Sequence, residues 1–289
     1  MLKRNLTAIV LVAIALIFLL WLRTYHVALA DPLFFAFMAL GAFEMWQVGR
    51  KSGYHALPIP LIFYGVAFYP AFWFYSLTGA LLVFFLAAIV AFSDYILERK
   101  KHEVNDLLYT FLILIYPMLL CSAFFYINHE AGGLLGLFFV LAVTLLSDAF
   151  ALFAGVLFGK KKLIEDVSPK KTVAGVFGAY FGGLLGATAT LLLFDVLAVA
   201  SALPNVGLLG LQGGYGVSIP LYYSLAILST TLAIFGDLAA SLLKRKLGVK
   251  DFGKIFPGHG GVMDRLDSLL FVAPLVALFF TIYNGVVSL

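Results

Sequence analysis

Phe74-Tyr75-Ser76-Leu77-Thr78-Gly79-Ala80-Leu81-Leu82-Val83-Phe84-Phe85-Leu86-Ala87-Ala88-Ile89-Val90-Ala91-Phe92-Ser93-Asp94-Tyr95-Ile96 holds one charged residue, Asp94, near its end. About 20 consecutive, mostly apolar residues suffice for a helix to cross a bilayer. Eight further runs of the same character flank this one, at about 5–23, 31–49, 56–71, 106–127, 133–158, 173–200, 218–243 and 267–287. The run at 56–71 is short and ends near Pro70, so it either tilts or forms a helical hairpin with 74–96. The expected fold is therefore all-α, a polytopic integral membrane protein of about nine transmembrane helices. About five of them lie in 1–127 and the rest in 128–289. The runs are too long and too uniformly apolar for the strand alternation of a membrane β-barrel.

Composition agrees. The 289 residues are 63% hydrophobic and 12% charged, with a mean hydropathy of +1.05. Soluble domains average about 25% charged residues, so a soluble surface cannot be built from this chain. The single cysteine, Cys121, excludes an intrachain disulfide. The net charge of +4 could suggest nucleic acid in a soluble protein. Here the cations sit in short loops, and no nucleic-acid partner is expected.

Those loops are one-sided. Lys3 and Arg4 precede the first run; Arg50 and Lys51 follow the second; Arg99, Lys100 and Lys101 follow the fourth. Lys160, Lys161, Lys162, Lys170 and Lys171 follow the sixth, and Lys244, Arg245, Lys246, Lys250, Lys254 and Arg265 follow the eighth. The intervening loops, such as 128–130 and 201–217, are almost free of cations. The positive-inside bias then predicts a cytoplasmic N-terminus, an external C-terminus and an odd number of spans in the plasma (inner) membrane. Ala28-Leu29-Ala30 before Asp31 has the small-residue spacing of a signal cleavage site. The length of the apolar stretch favours an uncleaved first helix.

The chemistry-bearing residues gather near the C-terminal end. Asp237 follows Gly236 inside the eighth run, with Ser241 and Lys244 or Arg245 on the same helical face. An aspartate at mid-helix costs about 2.5–3.5 kcal/mol on insertion scales. A metal, a cation or a water-filled cavity must offset that cost, and the bland alternative is an ion pair with a lysine from another helix. Asp264 and Asp267 open the ninth run, directly after the turn Gly258-His259-Gly260-Gly261. A glycine turn can aim backbone N–H groups at phosphate oxygens. Either acid can alternatively be a helix N-terminal carboxylate favoured by the macrodipole. Magnesium sites typically combine one or two carboxylates with waters and substrate phosphates. A second cluster comprises Asp148, expected to be buried in the sixth run, and Ser168-Pro169-Lys170-Lys171-Thr172, with Gly175, at the start of the seventh. Its helix N-terminus, hydroxyls and lysines suit a phosphate grip. His259 can be a base, a phosphate donor or a cap, and its position does not choose. The glycines of Gly178-Ala179-Tyr180-Phe181-Gly182-Gly183 are read as helix packing. Residues 155–160 fail the spacing of a phosphate-binding loop, and neither a Gly-x-Ser-x-Gly elbow nor a His-Glu-x-x-His zinc motif occurs.

The run Ser241-x-Leu243-Lys244-Arg245, Lys250-Asp251-x-Gly253, Phe256-Pro257-x-His259-Gly260-Gly261-Val262-x-Asp264-Arg265-Leu266-Asp267 resembles the signature of the phosphatidate cytidylyltransferase (CDP-diacylglycerol synthase) family. Asp148-x-Phe150-Ala151, Gly155, Phe158-Gly159, Ser168–Thr172 with Gly175, and Gly236-Asp237 extend the resemblance upstream. Two positions depart from it: Ala174 and Ala240 stand where relatives commonly carry glutamate. The resemblance implies that CTP and phosphatidic acid give CDP-diacylglycerol and pyrophosphate at the cytoplasmic face. It implies Mg2+, with room for a second cation, on Asp237 and Asp264, supported by Asp148 and Asp267. Lys244, Arg245 and His259 join Asp237 and Asp264 as catalytic candidates. Ser168, Lys170, Lys171, Thr172, Ser241, Lys250, Asp251, Gly258, Gly260, Gly261 and Arg265 become substrate-binding candidates. A homodimer is also implied. The rival expectations are a related CTP-dependent enzyme acting on archaeol phosphate or a polyprenol, and an ion-coupled transporter. Transport is disfavoured because the polar groups cluster towards one face.

Overall fold

The structure, a computed structural model, describes residues 17–196, 215–256 and 260–287. Most of the first apolar run lies outside them. Among the described residues six helices are long and apolar enough to cross a membrane, and a shorter apolar helix spans Leu269–Tyr283. Large apolar side chains cover much of the outer surface, with Phe74 and Val156 each 76% exposed. Exposure of that kind suits lipid and not water.

The chain forms two compact units: Met1–Tyr126 with Leu243–Leu266, and Ile127–Leu242 with Asp267–Leu289. The first contains α1 (Asp31–Lys51), α2 (Pro58–Leu97) and most of α3 (Val104–His129). The 40 residues of α2 are two helical arms joined at Ser76 (φ 54°, ψ −142°), where the chain reverses. Gly79 is the residue that permits the reversal, because any Cβ there would collide with the carbonyl of Ala71. Leu57 and Ala91, at the two ends of the run, share a buried cluster with Leu107. The segments 56–71 and 74–96 thus form the helical hairpin that Pro70 and the shortness of the first segment suggested.

Aromatic packing ties the hairpin to its neighbours. Phe125 of α3 is fully buried, with ring centroids 5.6 Å from Phe34, 5.0 Å from Phe68 and 5.7 Å from Phe72. Midway along α3 the turn Leu114–Leu119 is π-helical around Pro117. Proline has no N–H to donate, and a local π register absorbs the missing bond. At the polar end of α3, Asp106 accepts the backbone N–H of His55 (2.6 Å) and Glu103 (3.0 Å), and Thr110 Oγ1 accepts that of Leu57 (2.9 Å). The loop before α2 is therefore pinned to the start of α3.

In the second unit, α4 (Gly133–Phe158) and α5 (Val173–Leu191) lie backbone to backbone. A Cβ at Gly175 would stand 3.0 Å from the carbonyl oxygen of Ala151, and one at Gly186 would stand 2.6 Å from that of Ala142. Between them, Gly178 and Gly182 abut the carbonyls of Phe150 and Leu146. The glycine face read as packing is such a face. The loop joining α4 to α5 is not helical: β1 (Lys162–Ile164) pairs antiparallel with β2 (Ser168–Thr172), Lys162 opposite Thr172 and Ile164 opposite Ser168. This small hairpin qualifies the all-α expectation. Two further helices complete the unit. Most of α6 (Tyr215–Lys246) belongs here, its last residues passing to the first unit, and so does α8 (Leu269–Val287). The short α7 (Met263–Leu266) belongs to the first unit.

Candidate active site

The glycine contact between α4 and α5 sets the first polar cluster. It holds the β hairpin at the end of α4, where Asp148, Lys170, Lys171, Thr172, Gly175 and Asp237 line a cavity of about 230 Å³. Asp148 is exposed to this space, not buried within its span as its apolar surroundings suggested. Thr172 is buried, and its Oγ1 accepts the Gly175 N–H at 3.1 Å as the N-cap of α5. Lys171 Nζ meets Asp237 Oδ2 at 2.7 Å, their side chains 23% and 33% exposed. The ion pair that stood as the bland alternative for Asp237 therefore exists, but it sits at a cavity and not in a sealed interior. Ser241 Oγ is 3.4 Å from Asp237 Oδ1. Gly236 lets the start of α8 come close, since a Cβ there would lie 2.6 Å from the Asp267 carbonyl oxygen. Asp267 Oδ1 accepts the N–H of Ser268 at 2.8 Å, the helix-terminal role that the macrodipole favours. Ser168 opens β2.

The second cluster belongs to the other unit. Lys244 Nζ donates to Asp264 Oδ1 at 2.9 Å, with side-chain exposures of 14% and 5%. Asp264 Oδ2 accepts the backbone N–H of Phe252 (2.8 Å) and Gly261 (3.0 Å). One carboxylate thus closes the loop 252–261 onto the end of α6. Lys244 also stands 5.3 Å from the centre of the Phe252 ring. Gly248 (φ 66°) ends α6, and Gly260 (φ 83°) bends the loop where a Cβ would lie 2.8 Å from Asp264 Oδ2. Arg245, Lys250, Asp251 and Arg265 are exposed. Gly258 and His259 lie outside the described residues.

Asp148 and Asp237 beside two lysines fit a magnesium ion that completes its shell with water and phosphate oxygens. They do not fit a closed structural metal site: among the described residues no group of three or more His, Cys, Asp or Glu is placed to hold a metal. The same cavity, acidic and basic at once, suits a phosphate-bearing substrate.

The model of the cytidylyltransferase family matches residues 2–283. The chain belongs to that family. It is 36% identical to the phosphatidate cytidylyltransferase of Thermotoga maritima over 226 residues, 77% of each chain. It is 32% identical to that of Haemophilus influenzae over 306 aligned positions, covering 96% of this chain and 98% of the relative. A Helicobacter pylori phosphatidate cytidylyltransferase is 32% identical over 81% of this chain and 76% of its own.

For a cytidylyltransferase, the structure adds one residue that the motif reading did not single out. Glu44 of α1 is 3% exposed and accepts the backbone N–H groups of Val262 (3.0 Å) and Met263 (2.9 Å). A signal was present. Glu44 is an acid inside an otherwise apolar run, and such acids mark functional positions by default. Its partners lie more than two hundred residues away, which no local motif reports.

Proposed function

We propose that this chain is a CTP:phosphatidate cytidylyltransferase, which makes CDP-diacylglycerol and pyrophosphate from CTP and phosphatidic acid. The observation that carries the reading is the cavity where Asp148 and Asp237 meet Lys170 and Lys171 in an otherwise apolar set of helices. Family membership and the names of the relatives support the same reaction.

In the reaction, a phosphate oxygen of phosphatidate attacks the α-phosphorus of CTP. The new P–O bond forms as the bond to the bridging α–β oxygen breaks, and pyrophosphate leaves with that electron pair. The nucleophile is already an anion, so no strong general base is required. Lys170 and Lys171 offset the repulsion between two anionic reactants, and Thr172 holds the helix start that presents them. Asp237 keeps Lys171 oriented, and Asp237 and Asp148 are the carboxylates that would hold Mg2+. A magnesium ion bound there would supply charge neutralisation on phosphate oxygens. Asp264 contributes by fixing Lys244, whose ammonium, with Arg245, Lys250 and Arg265, offers further phosphate contacts, and Asp264 is itself a candidate metal ligand. Ser241, Asp251, Gly258, Gly260 and Gly261 are further substrate-binding candidates, His259 a catalytic one, and Asp267 a supporting acid. The reading further takes the chain as nine-spanning in the plasma membrane, with its N-terminus and catalytic groups cytoplasmic and its protomers paired.

The test is direct. Detergent-purified protein is incubated with α-labelled CTP, phosphatidic acid and Mg2+, with archaeol phosphate and a polyprenol in parallel reactions. Formation of CDP-diacylglycerol, lost with EDTA and restored by Mg2+, is the expected result. Absence of any CDP-lipid rejects the reaction, and product only from an isoprenoid lipid replaces the substrate.

A further inference from the structure

The Asp264–Lys244 pair depends on an acid from a distant helix. Glu44 sits on α1, and its two carboxylate oxygens accept from the backbone of the signature segment, through the N–H groups of Val262 and Met263. Two glycines of that segment, Gly253 and Gly261, are held against the same carboxylate, and a Cβ at either would collide with it. Gly261 is also the residue whose N–H goes to Asp264 Oδ2 at 3.0 Å. The connection therefore runs from Glu44 through residues 261–263 to Asp264, and from Asp264 at 2.9 Å to Lys244.

We propose that Glu44 is a positioning residue for the cytidylyl transfer: it fixes the 261–264 backbone so that Asp264 holds the Lys244 ammonium in its working place. The inference rests on the proposed function of this site. A buried carboxylate is an expensive way to join a helix to a loop, because apolar packing would do so without the desolvation penalty. What a carboxylate adds is direction: two charge-assisted hydrogen bonds fix where consecutive N–H groups stand. The glycines at 253 and 261 are explained by the same contact, since their missing side chains leave the space that the acid occupies.

The experiment is a double-mutant cycle between Glu44→Gln and Lys244→Met in the full-length purified chain, read as kcat and KM for CTP. A positional error near 1 Å can cost about 10²-fold in rate. Glu44→Gln is therefore expected to lower kcat by about 10²-fold and to move KM by less than about threefold. In the Lys244→Met background the same change is expected to cost less than about threefold, because effects on one connected unit are not additive. An additive cycle would make Glu44 a fold support and overturn the proposal, as would a Glu44→Gln enzyme within about threefold of the unmodified rate. If Glu44→Gln cannot be purified folded, Gly253→Ala, which drives a methyl group into the same carboxylate, replaces it in the same cycle with the same expectations. An inactive unmodified chain would defeat the proposed reaction; an active chain with an additive cycle defeats only the role of Glu44.

Discussion

Asparagine at Asp264 should destabilise the chain far more than asparagine at Asp237. Asp264 pairs with Lys244 at 2.9 Å with side-chain exposures of 5% and 14%, and it accepts two backbone N–H groups besides. The amide of Asp264→Asn can keep its oxygen on those N–H groups, but it then presents a donor to an ammonium. Breaking one half of a buried pair costs about 3–5 kcal/mol. At about 2–4 °C per kcal/mol for a chain approaching this size, the unfolding midpoint should fall by roughly 10 °C. Asp237 has one lysine partner at a cavity, with exposures of 33% and 23%. Pairs that accessible are worth about 0–1 kcal/mol, so Asp237→Asn should shift the midpoint by no more than about 3 °C. The chain carries its own reporter, because Cys121 is its only cysteine and is buried. A thiol-reactive fluorophore added during a thermal ramp in detergent reads its exposure directly. Equal shifts for the two variants, or no shift for Asp264→Asn, would refute this division of labour.

Other outcomes follow from the same contacts. Asp237→Asn should abolish CDP-lipid formation, by at least about 10²-fold, while the protein stays folded; labelled CTP turnover checks this. Gly182→Ala should destabilise the chain by about 1–3 kcal/mol, because its methyl group meets the Leu146 carbonyl in a full interface; thermal unfolding checks it. Ser76→Gly should raise the unfolding midpoint by a few degrees. It relieves a positive φ worth about 1–3 kcal/mol, and it removes a buried hydroxyl that has no hydrogen-bond partner among the described residues. Thr172→Val should cost about 1 kcal/mol through loss of the α5 N-cap, measured by the same thiol assay.

The spans were legible because hydrocarbon leaves a long uniform mark. The runs read at 31–49, 106–127 and 133–158 became helices at Asp31–Lys51, Val104–His129 and Gly133–Phe158. Backbone reversal is written in subtler terms. Ser76 resembles any other small polar residue, and only the absence of a side chain at Gly79 hints that two helical arms press together. The β1–β2 hairpin is masked in the sequence because five lysines and a proline within 160–172 read as a charged loop. The cluster of Asp148, Lys170, Lys171 and Asp237 was foreseeable as a set of costly groups, and the glycine face at 175–186 is what brings three of its elements to one cavity. Glu44 was the least legible, since a hydrogen bond to a distant backbone N–H leaves no trace in the identity of the residue that donates it.

The reversal at Ser76 also bears on how the chain enters its membrane. The two arms, 58–75 and 77–97, return to a common end, where Leu57 and Ala91 share a buried cluster with Leu107. An arm of that length reaches about 27 Å, close to the thickness of the hydrocarbon layer. Biogenesis need carry only the tip, Tyr75-Ser76-Leu77-Thr78, to the far leaflet, and that tip bears no charge. In the proposed topology Arg50, Lys51, Arg99, Lys100 and Lys101 stay on the side on which they were synthesised. The pair can thus slip in as one wedge, without threading a single cation through oil.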